Sequence, residues 1–202
     1  MTATDFHIPT LETARLRLRA PGLADFEHWA AFYASARSFE SRPLTRLEAW
    51  RNWAADAGLW VLRGYGPFGV EDRETGAYLG EVGIYQQANY PAPEFGWFVV
   101  PEAEGKGIAY EAARTVKDWI RDALGFDRIT SIIDPGNDRS IALGLRDHQL
   151  HLDQAVEHLL PHRPFVLRHG TAHRLQFEEM ALDLALEIER ELGIREIVGV
   201  ER

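Results

Sequence analysis

The chain has 202 residues, of which 46% are apolar and 11% aromatic, enough to build a sizeable hydrophobic core in one domain. Because it contains no cysteine, disulfide bonds, thiolate metal sites and a cysteine nucleophile are excluded. Its formal net charge of −9 disfavours nonspecific binding to nucleic acid, which depends on lysine and arginine side chains.

The first predicted elements are a strand and two helices. Residues 13–20 alternate leucine with arginine, the period-2 pattern of a half-buried strand. Aromatic residues at helical spacings predict a helix over residues 24–39. Thr45 followed by Glu48 is a capping-box pattern, which predicts the start of a second helix.

Three strand-like runs follow these helices. Residues 66–86 contain two of them, separated by a turn-forming segment at residues 71–76, and the third run lies at residues 93–100. An antiparallel meander is the simplest arrangement for strands joined in this way.

A helix and a strand come next. An apolar stripe predicts a helix over residues 105–124, and Gly125 stands where a helix commonly ends. The strand-like run at residues 128–134 then completes a strand–helix–strand unit, on which a parallel crossover can be built.

The remaining segments are less regular. The pattern predicts a helix from Arg139 toward Leu160, and two prolines then interrupt residues 161–170. Residues 177–192 have a strongly helical pattern, and the last strand-like run is at residues 195–201.

Gly105 and Gly107 mark a candidate anion site. They lie between a strand and a helix, so that unobstructed backbone amides at the helix start can point at a phosphate. Ordinary turn or close-packing glycines would give the same short pattern, and the further glycine of a dinucleotide fingerprint is missing. Lys106 could contact phosphate, or could be a solvated surface lysine.

These residues carry a resemblance to a known family. The sequence V-x-P-x-x-x-G-K-G-I-A-x-E-A at residues 99–112 resembles the acyl-CoA-binding motif of the GNAT N-acetyltransferases. The segment T-L-E-T-A-R-L-R-L-R resembles the start of the branch that acetylates ribosomal-protein N termini, and N-D-R-S-I-A-L resembles the N-x-x-S motif of that branch. The three motifs occur in the family order and span about residues 9–143.

The resemblance implies which residues hold acetyl-CoA, the co-substrate. The basic or glutamine position at the head of the family motif falls on Glu102, and Glu104 precedes the first glycine, so neither position is basic here. We therefore expect backbone amides to hold the pyrophosphate. The strand backbone at Phe98 and Val100 would face the pantetheine arm, and the full set of residues implied in cofactor binding is Phe98, Val99, Val100, Gly105, Lys106, Gly107, Ile108, Ala109 and Asn137.

The resemblance also implies two catalytic residues. Glu94 matches the strand glutamate that serves some family members as general base, with Glu81 as a second candidate. Ser140 matches the serine that can protonate the leaving thiolate. The implied mechanism is direct attack of a primary amine on the thioester, with the carbonyl oxygen polarised by the amide of Phe98 or Val99. An exposed strand glutamate, a loop asparagine at position 137 and an early helix serine are the alternative interpretations.

The C-terminal third departs from the family pattern. Gly144 stands where some members carry a tyrosine, and the family's Leu-Gly-Phe ending is missing. We therefore divide the chain into an acetyltransferase core at residues 1–143 and an atypical extension at residues 144–202, which completes or decorates the same domain. A catalytically inactive acyl-CoA-binding or assembly module is the alternative function, and a homodimer could supply missing strand pairing.

Histidine and tryptophan patterns suggest two further hypotheses. His148, His151, His158 and His162 recur at near-helical spacings, and Asp147 or Asp153 could complete a metal site, although solvated histidines explain the same pattern. Our preferred interpretation includes no metal. The tryptophans at positions 50, 53 and 60 could line a substrate pocket, but aromatic residues at helical spacing are more often core.

Together these observations predict a mixed α/β GNAT fold. Its central sheet is mostly antiparallel, is splayed between the fourth and fifth predicted strands, and is flanked by helices. No apolar run is long enough to span a bilayer, and the first twenty residues lack a signal-peptide pattern. We expect a cytoplasmic protein whose partner is an amine substrate, a protein N terminus or a small molecule, with no nucleic acid and no membrane.

Overall fold

A computed structural model describes residues 7–38, 42–88, 92–126, 128–133, 136–146, 152–153 and 165–170. Within these residues it contains one eight-stranded sheet. The strands are β1 (Leu11–Glu12), β2 (Leu16–Arg19), β3 (Pro67–Asp72), β4 (Tyr78–Tyr85), β5 (Glu94–Val99), β6 (Arg128–Ile133), β7 (Leu152–Asp153) and β8 (Phe165–Gly170).

The sheet has the spatial order β1-β2-β3-β4-β5-β6-β8-β7. Neighbouring strands are antiparallel from β1 to β5 and from β6 to β7, and β5 and β6 form the parallel pair. The predicted mixed, mostly antiparallel sheet is therefore confirmed. Its parallel pair lies where the sequence placed the crossover.

Four α-helices accompany the sheet in the described residues: α1 (Phe26–Tyr33), α2 (Arg46–Arg63), α3 (Ile108–Trp119) and α4 (Asp138–Arg146). Thr45 and Glu48 form the predicted capping box at the start of α2. A π-helical turn follows α3 and ends at Gly125, which has the left-handed conformation of a helix C-cap. None of the helices that the structure describes is long and apolar enough to cross a bilayer.

The core lies on both faces of the sheet. On one face, Phe68 makes an edge contact with Trp119 of α3, and its ladder partner Val82 is fully buried. On the other face, Phe98 stacks on Phe32 of α1, and Glu81, its ladder partner, is bonded by Trp29 of α1. Helices α3 and α1 therefore cover opposite faces of the sheet.

Two of the three tryptophans considered as pocket residues belong to the core. Trp53 and Trp60 are buried, whereas Trp50 is 41% exposed beside Phe26. The core interpretation therefore holds for the first two. Trp60 also donates from its indole nitrogen to the carbonyl of Pro67 at 2.7 Å, which fixes the end of α2 against β3.

The sequence predictions are wrong in part after residue 146. The helix expected to run toward Leu160 ends at Arg146 within the described residues, and Leu152–Asp153 is a strand. Residues 161–170, for which only an interruption by two prolines was predicted, contain strand β8 (Phe165–Gly170). The two strands pair with each other, and β8 also pairs with β6; these are nonlocal interactions that a local pattern does not reveal. The helix and strand predicted at residues 177–192 and 195–201 lie outside the described residues.

Gly83 is required where β4 passes β3. A Cβ atom at this position would lie 2.3 Å from the Cα of Pro67 and 2.5 Å from the carbonyl oxygen of Gly66. Because both atoms belong to the backbone, neither can rotate away, and the strand pair would have to separate. The close approach of these two strands therefore depends on a residue without a side chain.

We predict that Gly83→Ala lowers the free energy of unfolding by roughly 3 kcal/mol, through this backbone clash. The matched control is Gly58→Ala in α2, where an added Cβ meets nothing within 4 Å. The control should be neutral or stabilising by up to about 1 kcal/mol, because alanine favours a helix over glycine. Urea unfolding of the three proteins measures both effects, and equal stability of the two variants would contradict the prediction.

Candidate active site

The candidate site is the opening between β5 and β6. These parallel strands share one register pair, Glu94 with Thr130, whereas β4 and β5 remain paired along the whole length of β5. β5 and β6 therefore separate toward their carboxyl ends. This is the splay predicted between the fourth and fifth sequence strands, which are β5 and β6 here because β1 was not predicted separately.

Two side-chain hydrogen bonds mark the root of the splay. The hydroxyl of Ser131 donates to the carbonyl of Phe95 at 2.7 Å, and the amide of Ile132 donates to the Glu94 carboxylate at 3.3 Å. At the point where the strands separate, side chains rather than backbone groups of the neighbouring strand therefore form the hydrogen bonds to the backbone. Beyond that point the backbone edge of β5 faces an opening.

The glycine loop lies at the wide end of this opening. Gly105 and Gly107 have φ angles of 70° and 76°, in the left-handed region that glycine adopts without strain. The first backbone bond of the following helix is donated by Glu111 to the carbonyl of Gly107. Helix α3 therefore begins at Ile108 rather than at residue 105 as predicted, because the two glycines are not helical.

The amides of this loop are available to an anion. Within the described residues, no hydrogen-bond acceptor contacts the backbone N–H groups of residues 105–109. Gly105, Lys106 and Gly107 are exposed, Ala109 is partly exposed, and the side chain of Ile108 packs into the core. A twelve-residue helix then adds its positive N-terminal dipole to these donors.

Arg15, in the turn between β1 and β2, supports the loop. Its guanidinium donates to the carbonyl of Lys106 at 3.1 Å and to the Glu111 carboxylate at 2.6 and 2.8 Å. Glu111 also accepts a hydrogen bond from the hydroxyl of Thr13. The turn between β1 and β2 is thereby tied to the glycine loop and to the first turn of α3.

Backbone direction decides which residues of β5 face the opening. The amide of Val100 donates to the carbonyl of Leu79, so this group already belongs to the β4 ladder. Because backbone groups alternate between the two sides of a strand, Phe98 points toward β4, and Trp97 and Val99 point toward the opening. The backbone groups of Phe98 and Val100, which were predicted to face the pantetheine arm, thus point toward β4. Those of Val99 point toward the opening, as its predicted role requires.

Glu94 lies at the narrow end of the splay. Burial raises the pKa of its carboxyl to about 7, against a lowering by the hydrogen bond from the Ile132 amide. A carboxyl with this pKa exchanges a proton near neutral pH. Among the predicted catalytic residues, Glu94 therefore combines a position at the opening with a pKa that suits a general base.

Asn137 and Ser140 lie at the start of α4, on the other side of the opening. The side-chain oxygen of Asn137 accepts from the amide of Ser140 at 3.1 Å and so caps the helix. The amide nitrogen of the Asn137 side chain is not used in this cap. The hydroxyl of the partly exposed Ser140 contacts no acceptor within the described chain.

Glu81 and Asp56 form a buried acidic pair on the α1 face. Burial, and then the charge of Asp56, raise the pKa of Glu81 to about 8, although Tyr85 at 2.8 Å and Trp29 at 3.3 Å donate to its carboxylate. Burial raises the pKa of Asp56 to about 6, against a hydrogen bond from Gln87 at 2.9 Å. With 1% exposure, Glu81 is sealed from solvent, which disfavours it as the base that meets an amine.

Sequence reasoning missed the charged residues at the wide end of the opening. Glu104 is bonded by both Arg37 and Arg139, and Arg37 also donates to the carbonyl of Val99 at 3.3 Å. Arg37 follows α1, and only the third dimension brings it to the loop. Arg139 lies inside the N-x-x-S motif, but the motif allows any residue at that position and so gives no signal for a basic one.

The histidine hypothesis cannot be placed on this structure, because His148, His151, His158 and His162 lie outside the described residues. Among the residues that are described, no group of histidine, aspartate and glutamate is arranged to hold a metal ion.

The fold and the loop together define an acetyltransferase-like architecture, a mixed sheet splayed beside an anion-accepting helix start. A family model for the "Acetyltransferase (GNAT) domain" matches residues 15–146. An acetyltransferase structure from Agrobacterium tumefaciens str. C58 is 32% identical, with a TM-score of 0.72 over 85% of this chain and 99% of that one. The chain belongs to the GNAT acetyltransferase family.

Two further comparisons are informative. "Uncharacterized protein YkkB" of Bacillus subtilis (strain 168) is 33% identical over 100 residues, which is 46% of this chain and 54% of that protein. The chain thus spans about half the length of this curated relative. A ribosomal L7/L12 alpha-N-protein acetyltransferase in complex with coenzyme A has the same fold, with 15% identity, a TM-score of 0.61 and coverage of 80% and 96% of the two chains.

We predict that Glu81 makes the protein less stable as pH rises. Its folded pKa of about 8 is above the ordinary value of 4.5, so the folded state binds the proton more tightly. The stability that this proton contributes is complete below about pH 4 and is lost progressively as pH rises to about 8. Replacing the residue by glutamine should remove this loss and raise the free energy of unfolding at pH 8 by on the order of 3 kcal/mol.

Urea unfolding of Glu81→Gln and the natural protein between pH 5 and pH 8 measures the effect. Glu74→Gln in the exposed β3–β4 turn is the matched control, and it should follow the natural protein. If both variants lose stability with pH as steeply as the natural protein, Glu81 is not the group responsible.

Proposed function

We propose that this protein is an acetyl-CoA-dependent N-acetyltransferase that transfers an acetyl group to a primary amine. The observation that carries the proposal is the row of backbone amides at residues 105–109, which donate to no acceptor in the described part of the chain and lie at the wide end of an opening whose narrow end holds Glu94. Family membership supports the same activity, and a structural neighbour with the same fold was determined with coenzyme A bound.

The residues fit an acyl-CoA donor. The amides of the glycine loop would hold the diphosphate, as a helix N terminus holds an anion. The open edge of β5 at Val99, the outward residue nearer the loop, would pair with an amide group of the pantetheine arm, and the side-chain amide of Asn137, which is not used in the helix cap, is available from the opposite side. When bound, acetyl-CoA supplies an activated thioester carbonyl for attack by the amine.

Three groups of this chain would then serve the reaction. The Glu94 carboxylate accepts the proton that the amine nitrogen loses as its bond to the acetyl carbon forms. Because the donor would run from the loop at the wide end toward Glu94, the outward amide of Trp97, which is nearer to Glu94 than that of Val99, would polarise the carbonyl oxygen. The hydroxyl of Ser140 would donate a proton to the sulfur as the carbon–sulfur bond breaks, and solvent returns the proton to Ser140.

The acceptor side is the α1 face of the sheet. Glu81, Tyr85 and Glu94 share this face, since Tyr85 and Glu94 are ladder partners and Glu81 is four residues before Tyr85. The donor approaches along the open edge of β5, so donor and acceptor can enter from different directions. We infer an amine acceptor, such as a protein N terminus or a small molecule, which assays with a panel of primary amines would identify.

We predict that Gly107→Glu abolishes measurable binding of acetyl-CoA, because the new carboxylate would obstruct and repel the phosphates at the loop. The matched control is Gly76→Glu in the β3–β4 turn, which has nearly the same backbone conformation, with φ of 73° against 76°. Both variants carry the same backbone strain and the same added charge. Isothermal titration calorimetry should show unchanged affinity for the control. Equal affinity of both variants would refute the assignment of the loop.

We predict that Glu94→Gln lowers turnover by about 10²-fold or more while binding acetyl-CoA normally, because it removes the proton acceptor. In the natural protein, kcat/KM should rise about tenfold per pH unit below pH 7 and flatten above, since a group with a raised pKa of about 7 must lose its proton to act. The inflection near pH 7 should be missing from the variant.

The measurement is release of the free thiol of CoA with a panel of primary amines. Glu74→Gln, in the exposed β3–β4 turn, is a control that leaves Glu94 and the glycine loop unchanged. A protein that binds acetyl-CoA but turns over no acceptor, and for which Glu94→Gln changes nothing, would instead be an acyl-CoA-binding module. The Gly144 found at the family's tyrosine position is the observation that makes this second function worth testing.

A further inference from the structure

A three-residue ion cluster, which we call the Glu104 clamp, lies across the wide end of the opening. One oxygen of Glu104 accepts from Arg37, and the other accepts from Arg139 at 2.7 Å. These bonds, with that of Arg139 first, lower the pKa of the Glu104 carboxyl. The acid is therefore charged and doubly paired in the free protein.

The clamp joins the two sides of the opening. Glu104 directly precedes the glycine loop and belongs to the β5–α3 side. Arg139 is the second residue of α4 and belongs to the β6 side. Arg37 follows α1 and reaches the carbonyl of Val99, at the end of the open strand edge. Three elements that are distant in sequence therefore meet at the point where an anionic donor would enter.

The clamp poses an electrostatic problem for such a donor. Glu104 places a negative charge next to the amides at residues 105–109, and Glu102 adds an exposed negative charge two residues earlier. A diphosphate bound by those amides would lie close to the Glu104 carboxylate, and like charges at such distances repel. Both guanidinium groups would attract the same diphosphate, because a guanidinium binds phosphate oxygens with the same forked geometry with which it binds a carboxylate.

We propose that Glu104 is a placeholder for phosphate: it holds Arg37 and Arg139 at the opening of the free protein, and the diphosphate of the incoming donor displaces it from both arginines. This inference rests on the proposed function. It assigns phosphate-binding roles to two arginines outside the glycine motif. They supply the positive charge that Glu102 and Glu104 do not supply at the positions where the family has basic or glutamine side chains.

The exposure of the partners is consistent with exchange. The Arg139 side chain is 80% exposed, so it can turn from one anion to another at small cost, and a pair this exposed contributes little to stability. Because the carboxylate competes with phosphate, the clamp lowers the affinity for the donor. It also keeps the guanidinium groups oriented at the opening, which favours rapid capture once the donor arrives.

The test is calorimetric titration of the full chain with CoA at two salt concentrations. Glu104→Gln should bind CoA roughly fivefold more tightly, because it removes the competing charge. Arg139→Gln should bind it roughly tenfold more weakly and with a shallower dependence on salt, because one charged contact is lost. Arg146→Gln, at the exposed end of the same helix, is the matched control and should bind like the natural protein.

The proposal is overturned if Glu104→Gln binds CoA equally or more weakly, or if Arg139→Gln behaves like the Arg146→Gln control. CoA without its 3′-phosphate separates the two phosphate sources: a retained effect of Arg139→Gln supports exchange at the diphosphate, and a lost effect overturns it. If the natural protein binds no CoA, the proposed function fails with the clamp. If it binds CoA and Glu104→Gln gains nothing, the clamp alone fails.

Discussion

The loss of backbone pairing between β5 and β6 is the constraint on which the site depends. In a parallel sheet, both edges of an internal strand are normally satisfied by its neighbours. Here the ladder stops after Glu94 and Thr130, and side chains of Glu94 and Ser131 satisfy the backbone groups next to it. Beyond them, the edge of β5 remains available for another chain of amide groups, which is the chemical character of a pantetheine arm.

The same separation fixes the position of both helix starts. Because β5 and β6 run in the same direction, the helices that follow them begin at the same edge of the sheet, one on each side of the opening. Gly105 and Gly107 prevent α3 from beginning earlier and leave its first amides exposed. The proposed donor site would thus consist mainly of backbone groups, which is compatible with glutamates at positions 102 and 104.

Much of this organisation could be predicted from the sequence, because the signals are local. The capping box at Thr45, the glycine at position 125 and the motif around Gly105 act through residues that are neighbours in the chain. What could not be predicted is nonlocal. Strand β8 exists through its pairing with β6, and the direction of the Val99 backbone depends on the register with β4. The pairing of Glu104 with Arg37 needs a contact across 67 positions in the chain.

The two sides of the sheet also differ in how they hold charge. Beside the glycine loop, Glu104 is paired with the partly exposed Arg37 and the largely exposed Arg139, and our proposal uses the small energetic cost of exchanging such partners. Elsewhere, Glu81 and Asp56 are buried and Glu94 is partly buried, and burial raises the pKa of each carboxyl. Buried acids of this kind destabilise a fold at neutral pH, and they cluster at sites where proton transfer is needed. In the proposed function, the acids with raised pKa lie on the face where an amine would lose its proton, and the exposed ion pairs lie where a polyanion would enter.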